Sequence, residues 1–289
     1  MHSERKLKSE EQAMKPRCSP DLVPADNALT RALENALRAV KEEYPFLDER
    51  VEEIAVSRRF TLVRLAGGGI GIAFSGDYEP PPEELVLGET TASELARYAW
   101  RHPSLTSLAL AAVNAATGML IEEKPGLNGL VRDRNIVEVI NPGPDEAIAL
   151  VGYIQGVARK LAAKTSKIVV YEDNPIHRAL AREKGFTTYP GSQLLLDADN
   201  YDIIIATGAS LLDPRITVVF TNAKRARLRG FIGPTSSFHI AAAKHLGADF
   251  IAGITIPSRH RDTVAKLVKA GYGFKRISRF VTKWIWLRP

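Results

Sequence analysis

Five short loops hold most of the residues in this chain that could do chemistry. Gly152-Tyr153-Ile154-Gln155-Gly156 follows an apolar run and opens a helical pattern, and its two glycines would let backbone N–H groups approach an anion at a helix N-terminus. The spacing is Gly-x-x-x-Gly, not the Gly-x-Gly-x-x-Gly of dinucleotide sites, so a tight strand-to-helix turn is an equal reading. Glu172-Asp173-Asn174-Pro175 puts an acid 20 residues after Gly152, where a ribose-binding carboxylate would sit, while Asp173 or Asn174 would cap the helix that Pro175 begins. Thr207-Gly208-Ala209-Ser210 offers hydroxyls and open backbone to a phosphate, a carboxylate or a metal-bound oxyanion. Gly233-Pro234-Thr235-Ser236-Ser237 and the segment from Thr255 to Ser258 complete the set.

Other chemistries find less support. His177, His239, His245 and His260 never pair at i, i+3 or i, i+4, so metal-ligand spacing is poor. His239, just past the fourth loop, and Asp213, just past the third, are the metal candidates that remain. Cys18 is the only cysteine, which excludes an internal disulfide framework and a thiolate metal cluster and fits a reducing cytosol. No Gly-x-Ser-x-Gly elbow and no Gly-x-x-x-x-Gly-Lys-Ser/Thr loop is present.

Charge points to one end of the chain. The net charge is +6, but residues 41–100 hold 6 Lys/Arg against 12 Asp/Glu, whereas residues 255–289 hold 9 Lys/Arg against Asp262 alone. A basic C-terminal part suits an anionic ligand or partner, or simply a solvated face. Lys275, Arg276, Arg279, Phe280, Lys283, Trp284 and Trp286 mix cations with aromatics as nucleic-acid surfaces do, yet equally describe an edge strand with both tryptophans packed inward. The structural reading is preferred.

Elements that place the loops follow from periodicity. Residues 1–26 read as a flexible tail, and 27–122 as an α+β unit. In that unit Leu29, Leu33, Ala36, Leu37 and Val40 mark a helix capped by Asp26 or Asn27. Strands over 53–65, broken near Arg58, and 69–74 flank the Gly67-Gly68-Gly69 turn, and Thr91 with Glu94 forms a capping box. Residues 105–121 are apolar enough to invite a membrane reading but are short and carry Asn114, so they read as a buried helix. Residues 123–146 form a connection. From 147 to 289, apolar runs at 148–151, 167–171, 202–206, 228–232 and 250–254 alternate with helical patterns, which is the pattern of a Rossmann-like parallel sheet covered on both faces. Ligands of such a sheet bind at the carboxyl ends of its strands, where all five loops fall.

Taken in order, several segments resemble one family. They are Gly67-Gly68-Gly69 with Gly71, the Trp100 segment, Leu110-Ala111-Ala112-Val113-Asn114-Ala115, Val151-Gly152-Tyr153-Ile154 and Tyr171-Glu172-Asp173-Asn174-Pro175. Further on come Ala206-Thr207-Gly208-Ala209-Ser210-Leu211, Gly233-Pro234-Thr235-Ser236 and Gly247-Ala248-Asp249 with Ala252-Gly253. Over residues 27–257 the chain is similar to the "putative heavy-metal chelation" family of domains of unknown function, with its companion domain similar to the N-terminal domain of enolase. The resemblance implies a Rossmann-like domain preceded by a smaller α+β enolase-N-terminal-like domain, with a site in the cleft between them. The chain departs from the family's pattern at Leu211-Leu212-Asp213, where Asn is common, and at Ser236-Ser237-Phe238-His239, where Pro is common.

The expectation is an α/β protein of the cytoplasm that binds a small anionic or metal-chelating ligand in the interdomain cleft. Gly152, Tyr153, Glu172, Thr207, Gly208, Gly233, Pro234, Thr235 and Ser236 would line it, and Asn114 would close it from the other domain. Replacing Glu172 by Ala should weaken binding and leave melting nearly unchanged. Two alternatives stay open: a nucleotide or S-adenosylmethionine cofactor over Gly152, and a nucleic-acid-binding module using the C-terminus, the less favoured partner. A divalent metal is a further cofactor candidate, no membrane partner is expected, and both a homo-oligomer and enzymatic turnover are left open.

Overall fold

A computed structural model describes residues 24–76 and 79–288. Most of the segment read as a tail, with Cys18, lies outside the described residues; Ala25 donates its N–H to Arg97 O at 2.7 Å.

The first half is a three-stranded antiparallel meander on a buried helix. Helix α1 (Ala28–Glu43) takes its N-cap from Asn27, whose side chain accepts from Thr30 N–H, and it buries the predicted stripe. Strands β1 (Val51–Val56), β2 (Phe60–Leu65) and β3 (Ile70–Phe74) pair in that order. Two short helices follow, α2 (Glu83–Leu87) and α3 (Ala92–Ala96), the latter with the expected Thr91/Glu94 box. Helix α4 (Pro103–Glu123) is long and apolar enough to cross a membrane, and the window that passes that test is wholly buried inside the protein. Strand β3 lies directly on α4: a methyl group at Gly71 would overlap Ala111 O and the backbone of Ala115.

The second half is an eight-stranded sheet of order β4-β11-β10-β9-β8-β5-β6-β7. Its elements are β4 (Leu130–Arg132), α5 (Ile136–Ile140), β5 (Ile148–Val151), α6 (Gln155–Ala162), β6 (Ile168–Tyr171) and α7 (Pro175–Glu183). They continue with β7 (Thr187–Tyr189), α8 (Leu194–Asp197), β8 (Ile203–Thr207), α9 (Arg215–Asn222), β9 (Leu228–Ile232) and α10 (Ala243–Leu246). Last come β10 (Phe250–Thr255), α11 (Arg261–Lys269), α12 (Phe274–Ile277) and β11 (Thr282–Leu287). Strands β5 to β10 are mutually parallel and run 3-2-1-4-5-6 in their own numbering, the order of a doubly wound α/β sheet.

Three local readings change. Strand β11 is interior, because β4, from the stretch read as a bare connection, pairs antiparallel on its far side. Trp284, Ile285 and Trp286 are therefore all buried, on both faces. Strand β7 is three residues with one buried side chain, too short to show a period. The helical patterns between the strands are broken at two places, over 211–222 by Pro214 and over 237–246 into a 3₁₀ turn followed by α10.

Candidate functional site

The switch in winding falls between β5 and β8, whose crossovers leave in opposite directions along the sheet; ligands of doubly wound sheets generally bind at that position. Gly152 ends β5 with φ +82°, and a Cβ built on it would stand 2.5 Å from the Thr207 methyl carbon. The two loops meet only because residue 152 has no side chain. Thr207, before the turn at Gly208–Leu212, spends no side-chain hydrogen bond on capping it. Helix α6 likewise starts without a side-chain cap. The N–H groups of Val157 and Ala158 return to Ile154 O, whereas those of Ile154, Gln155 and Gly156 take no protein acceptor among the described residues.

Glu172 is held more tightly than the sequence suggests. Its carboxylate accepts from Tyr153 N–H at 2.8 Å and from Asn174 N–H at 2.9 Å, and the side chain is 13% exposed. His177 Nδ1 lies 3.8 Å away. The carboxylate thus fastens the β6 loop to the β5 loop, which corrects the expectation that it could be removed at no cost to stability. Asn174 caps α7 as expected, accepting from Ile176 and His177 N–H, while Asp173 accepts from Gly191 N–H. Tyr153 turns its ring onto Phe186, centroids 6.1 Å apart, and burial pushes its hydroxyl's pKa up.

The loop after β9 faces β3 and α4 of the first half, not solvent. A Cβ at Gly208 would come within 2.7 Å of Ser236 N, and Gly233 adopts φ +119°. Thr235 Oγ1 accepts from Phe74 N–H at 2.9 Å, and Ser236 Oγ donates to Gly233 O at 3.1 Å. Thr235 is 2% and Ser236 0% exposed, so neither side chain lines an open cleft: Thr235 is spent on β3, and Ser236 on the backbone of its own half. Asn114 belongs to the same seam: its Nδ2 lies 3.0 Å from Ile72 O, 3.1 Å from Pro234 O and 3.0 Å from Thr235 O. The backbone that Asn114 holds therefore belongs to both halves of the chain.

The two metal candidates are engaged elsewhere. His239 Nδ1 accepts from Ala241 N–H, which puts the proton on Nε2, 3.1 Å from Glu43 Oε1. Burial lowers its pKa, against the pull of Glu43. Asp213 takes Arg215 N–H at 2.9 Å and Nε–H at 2.7 Å. Burial opposes its ionisation, but the Arg215 contacts win and its carboxyl stays below the usual range. Among the described residues no three His, Cys, Asp or Glu side chains come together around a metal position. A bare heavy metal therefore lacks a protein donor set here.

Sequence reasoning passed over Arg215. It pairs with Asp213 of the β8 loop and lies 3.9 Å from Asp173 of the β6 loop, so its guanidinium bridges the two loops that flank the end of β5. The signal was present in Asp213-Pro214-Arg215, but only the strand order shows that the loops are neighbours.

A doubly wound sheet docked on a small α+β unit, with glycine-built loops at the switch point, defines a class of two-part α/β folds. The chain belongs to the DUF364 family, described as "putative heavy-metal chelation", whose model matches residues 135–287. The DUF4213 model, described in the same words, matches residues 41–117. A structure from Pyrococcus horikoshii, of a protein with unknown function from the DUF364 family, is 20% identical with a TM-score of 0.67, covering 89% of this chain and 100% of its own. Another from Desulfitobacterium hafniense, likewise of unknown function, is 17% identical with a TM-score of 0.70, covering 90% and 99%. At these identities the likeness shows the fold alone. No curated protein matches the chain.

Proposed function

We propose that the crevice between the β5 and β8 loops binds a small organic anion, either free or as the chelator of a metal that it carries in. The observation that supports this most is the meeting at Gly152: the loop that carries the bare N–H groups of Ile154, Gln155 and Gly156 touches Thr207, whose hydroxyl caps nothing. Helix dipole and open donors favour an anion at that point. The family's description as metal-chelating agrees with this reading if the chelator supplies the metal's ligands, since no cluster of three His, Cys, Asp or Glu side chains is present among the described residues. A nucleotide or S-adenosylmethionine draws less support, since both Glu172 oxygens already accept backbone N–H groups.

Amide NMR on the full chain tests the reading, with citrate, zinc citrate, inorganic phosphate and zinc chloride as probes. Citrate or zinc citrate should shift the Ile154, Gln155 and Gly156 resonances, while zinc chloride leaves them in place. Shifts at these amides from zinc chloride alone, or none from any of the anions, would overturn it.

A further inference from the structure

We infer a second anion site, sharing no lining residue with the first, in a hollow between α11 and α12 that fits a nucleoside phosphate. The hollow has a volume of about 360 Å³ and is lined by Leu267, Tyr272, Arg276, Arg279 and Phe280. That is the size range of a small-ligand site.

Its walls are fixed by backbone geometry. Helix α11 ends in a Schellman turn: Gly271, with φ +77°, donates to Val268 O at 2.8 Å, and Tyr272 N–H reaches back to Leu267 O at 3.0 Å. This arrangement sets Tyr272 beside Leu267, and the Tyr272 side remains 47% exposed. Arg276 N–H then donates to Gly273 O, and Phe280 N–H to Ile277 O, which closes the far wall. The His260 ring stands edge-on to Phe280, centroids 5.5 Å apart, and accepts from Arg259 Nε at 3.1 Å.

Of the nine cations of residues 255–289, three are held in ion pairs, and Arg259, Lys266, Lys275, Arg276, Arg279 and Lys283 have no acidic partner among the described residues. Arg261 pairs with Glu122, Lys269 with Glu53 and Arg288 with Asp249, so those cations are committed to the fold. Arg276 and Arg279 have no acidic partner among the described residues and both line the hollow. Two guanidinium forks three residues apart suit the several oxygens of a phosphate, and an exposed tyrosine ring beside them suits a flat base.

Calorimetric titration of the full chain with ADP, with pyrophosphate and with a dT20 oligonucleotide tests the inference. ADP should bind, more tightly than pyrophosphate, and Arg276→Ala with Arg279→Ala should weaken it at least 10-fold without moving Tm. Thr207→Val, in the crevice, should leave ADP binding as it is. Absent ADP binding at millimolar concentration, binding that survives the double arginine variant, loss of binding in Thr207→Val, or preference for dT20 at equal phosphate would each overturn it.

Discussion

Gly152 is the residue on which the crevice depends. Its φ of +82° and the Thr207 methyl at 2.5 Å leave no room for a side chain, so Gly152→Ala should cost about 1–3 kcal/mol, read as a lower urea midpoint. Thr207→Val is the complementary change: its hydroxyl caps nothing, so Tm should move by less than the equivalent of about 0.5 kcal/mol while anion binding falls. His239 carries a pH dependence. Burial depresses its folded pKa below the ordinary 6.5, with Glu43 and Glu42 opposing, so the unfolded chain takes up the proton first. Its contribution is complete above pH 6.5 and is lost as pH falls through the folded value; equilibrium unfolding between pH 7.5 and 5 should show a slope that flattens in His239→Gln. At this scale local chemistry was legible. Asn27, the Thr91/Glu94 box and Asn174 cap as expected, because each partner lies two or three residues away. Asn114 and Glu172 were recognised, but not their duties, since their partners come from segments 19 to 121 residues distant.

Helix α4 is the element that sets the seam. It is buried on all sides, so its sequence shows no amphipathic stripe and could be read only as an apolar run. Asn114 is the point where it grips both β3 and the loop after β9. Asn114→Ala leaves Ile72 O, Pro234 O and Thr235 O short of a donor and should cost about 2–4 kcal/mol by urea denaturation. The entry to β5 is held by a second device. Hydrogen bonding from Arg227, aided by Gly143 N–H, brings the Glu146 carboxyl down to about 2. A depressed carboxyl stabilises the fold above its ordinary 4.5 and loses that effect as pH falls from 4.5 toward 2, so Arg227→Leu should flatten the acid limb of the stability profile over that window. The parallel strands were legible as apolar runs between helices. Strand β4 was not, because three half-buried residues carry no period, and without it β11 could only be placed at an edge.

On the scale of the whole molecule, the strand order turns a list of loops into a site. No residue of the 152, 172, 207 or 215 segments announces a neighbour in the sequence; the switch between β5 and β8 makes them adjacent. The same docking that buries Thr235 and Ser236 holds the two halves together, with Arg64 to Asp262 at 2.9 Å and Asn35 to Ala241 O at 2.8 Å at separate points of the boundary. The most direct test of anion binding in the crevice is native mass spectrometry of the full chain as purified, set against its denatured mass, for wild type and Thr207→Val. If the crevice holds an organic anion, the wild type carries an extra mass equal to a small organic molecule, with or without a metal, and Thr207→Val loses it. An extra mass equal to a bare metal ion, or an organic adduct retained unchanged in Thr207→Val, would contradict that.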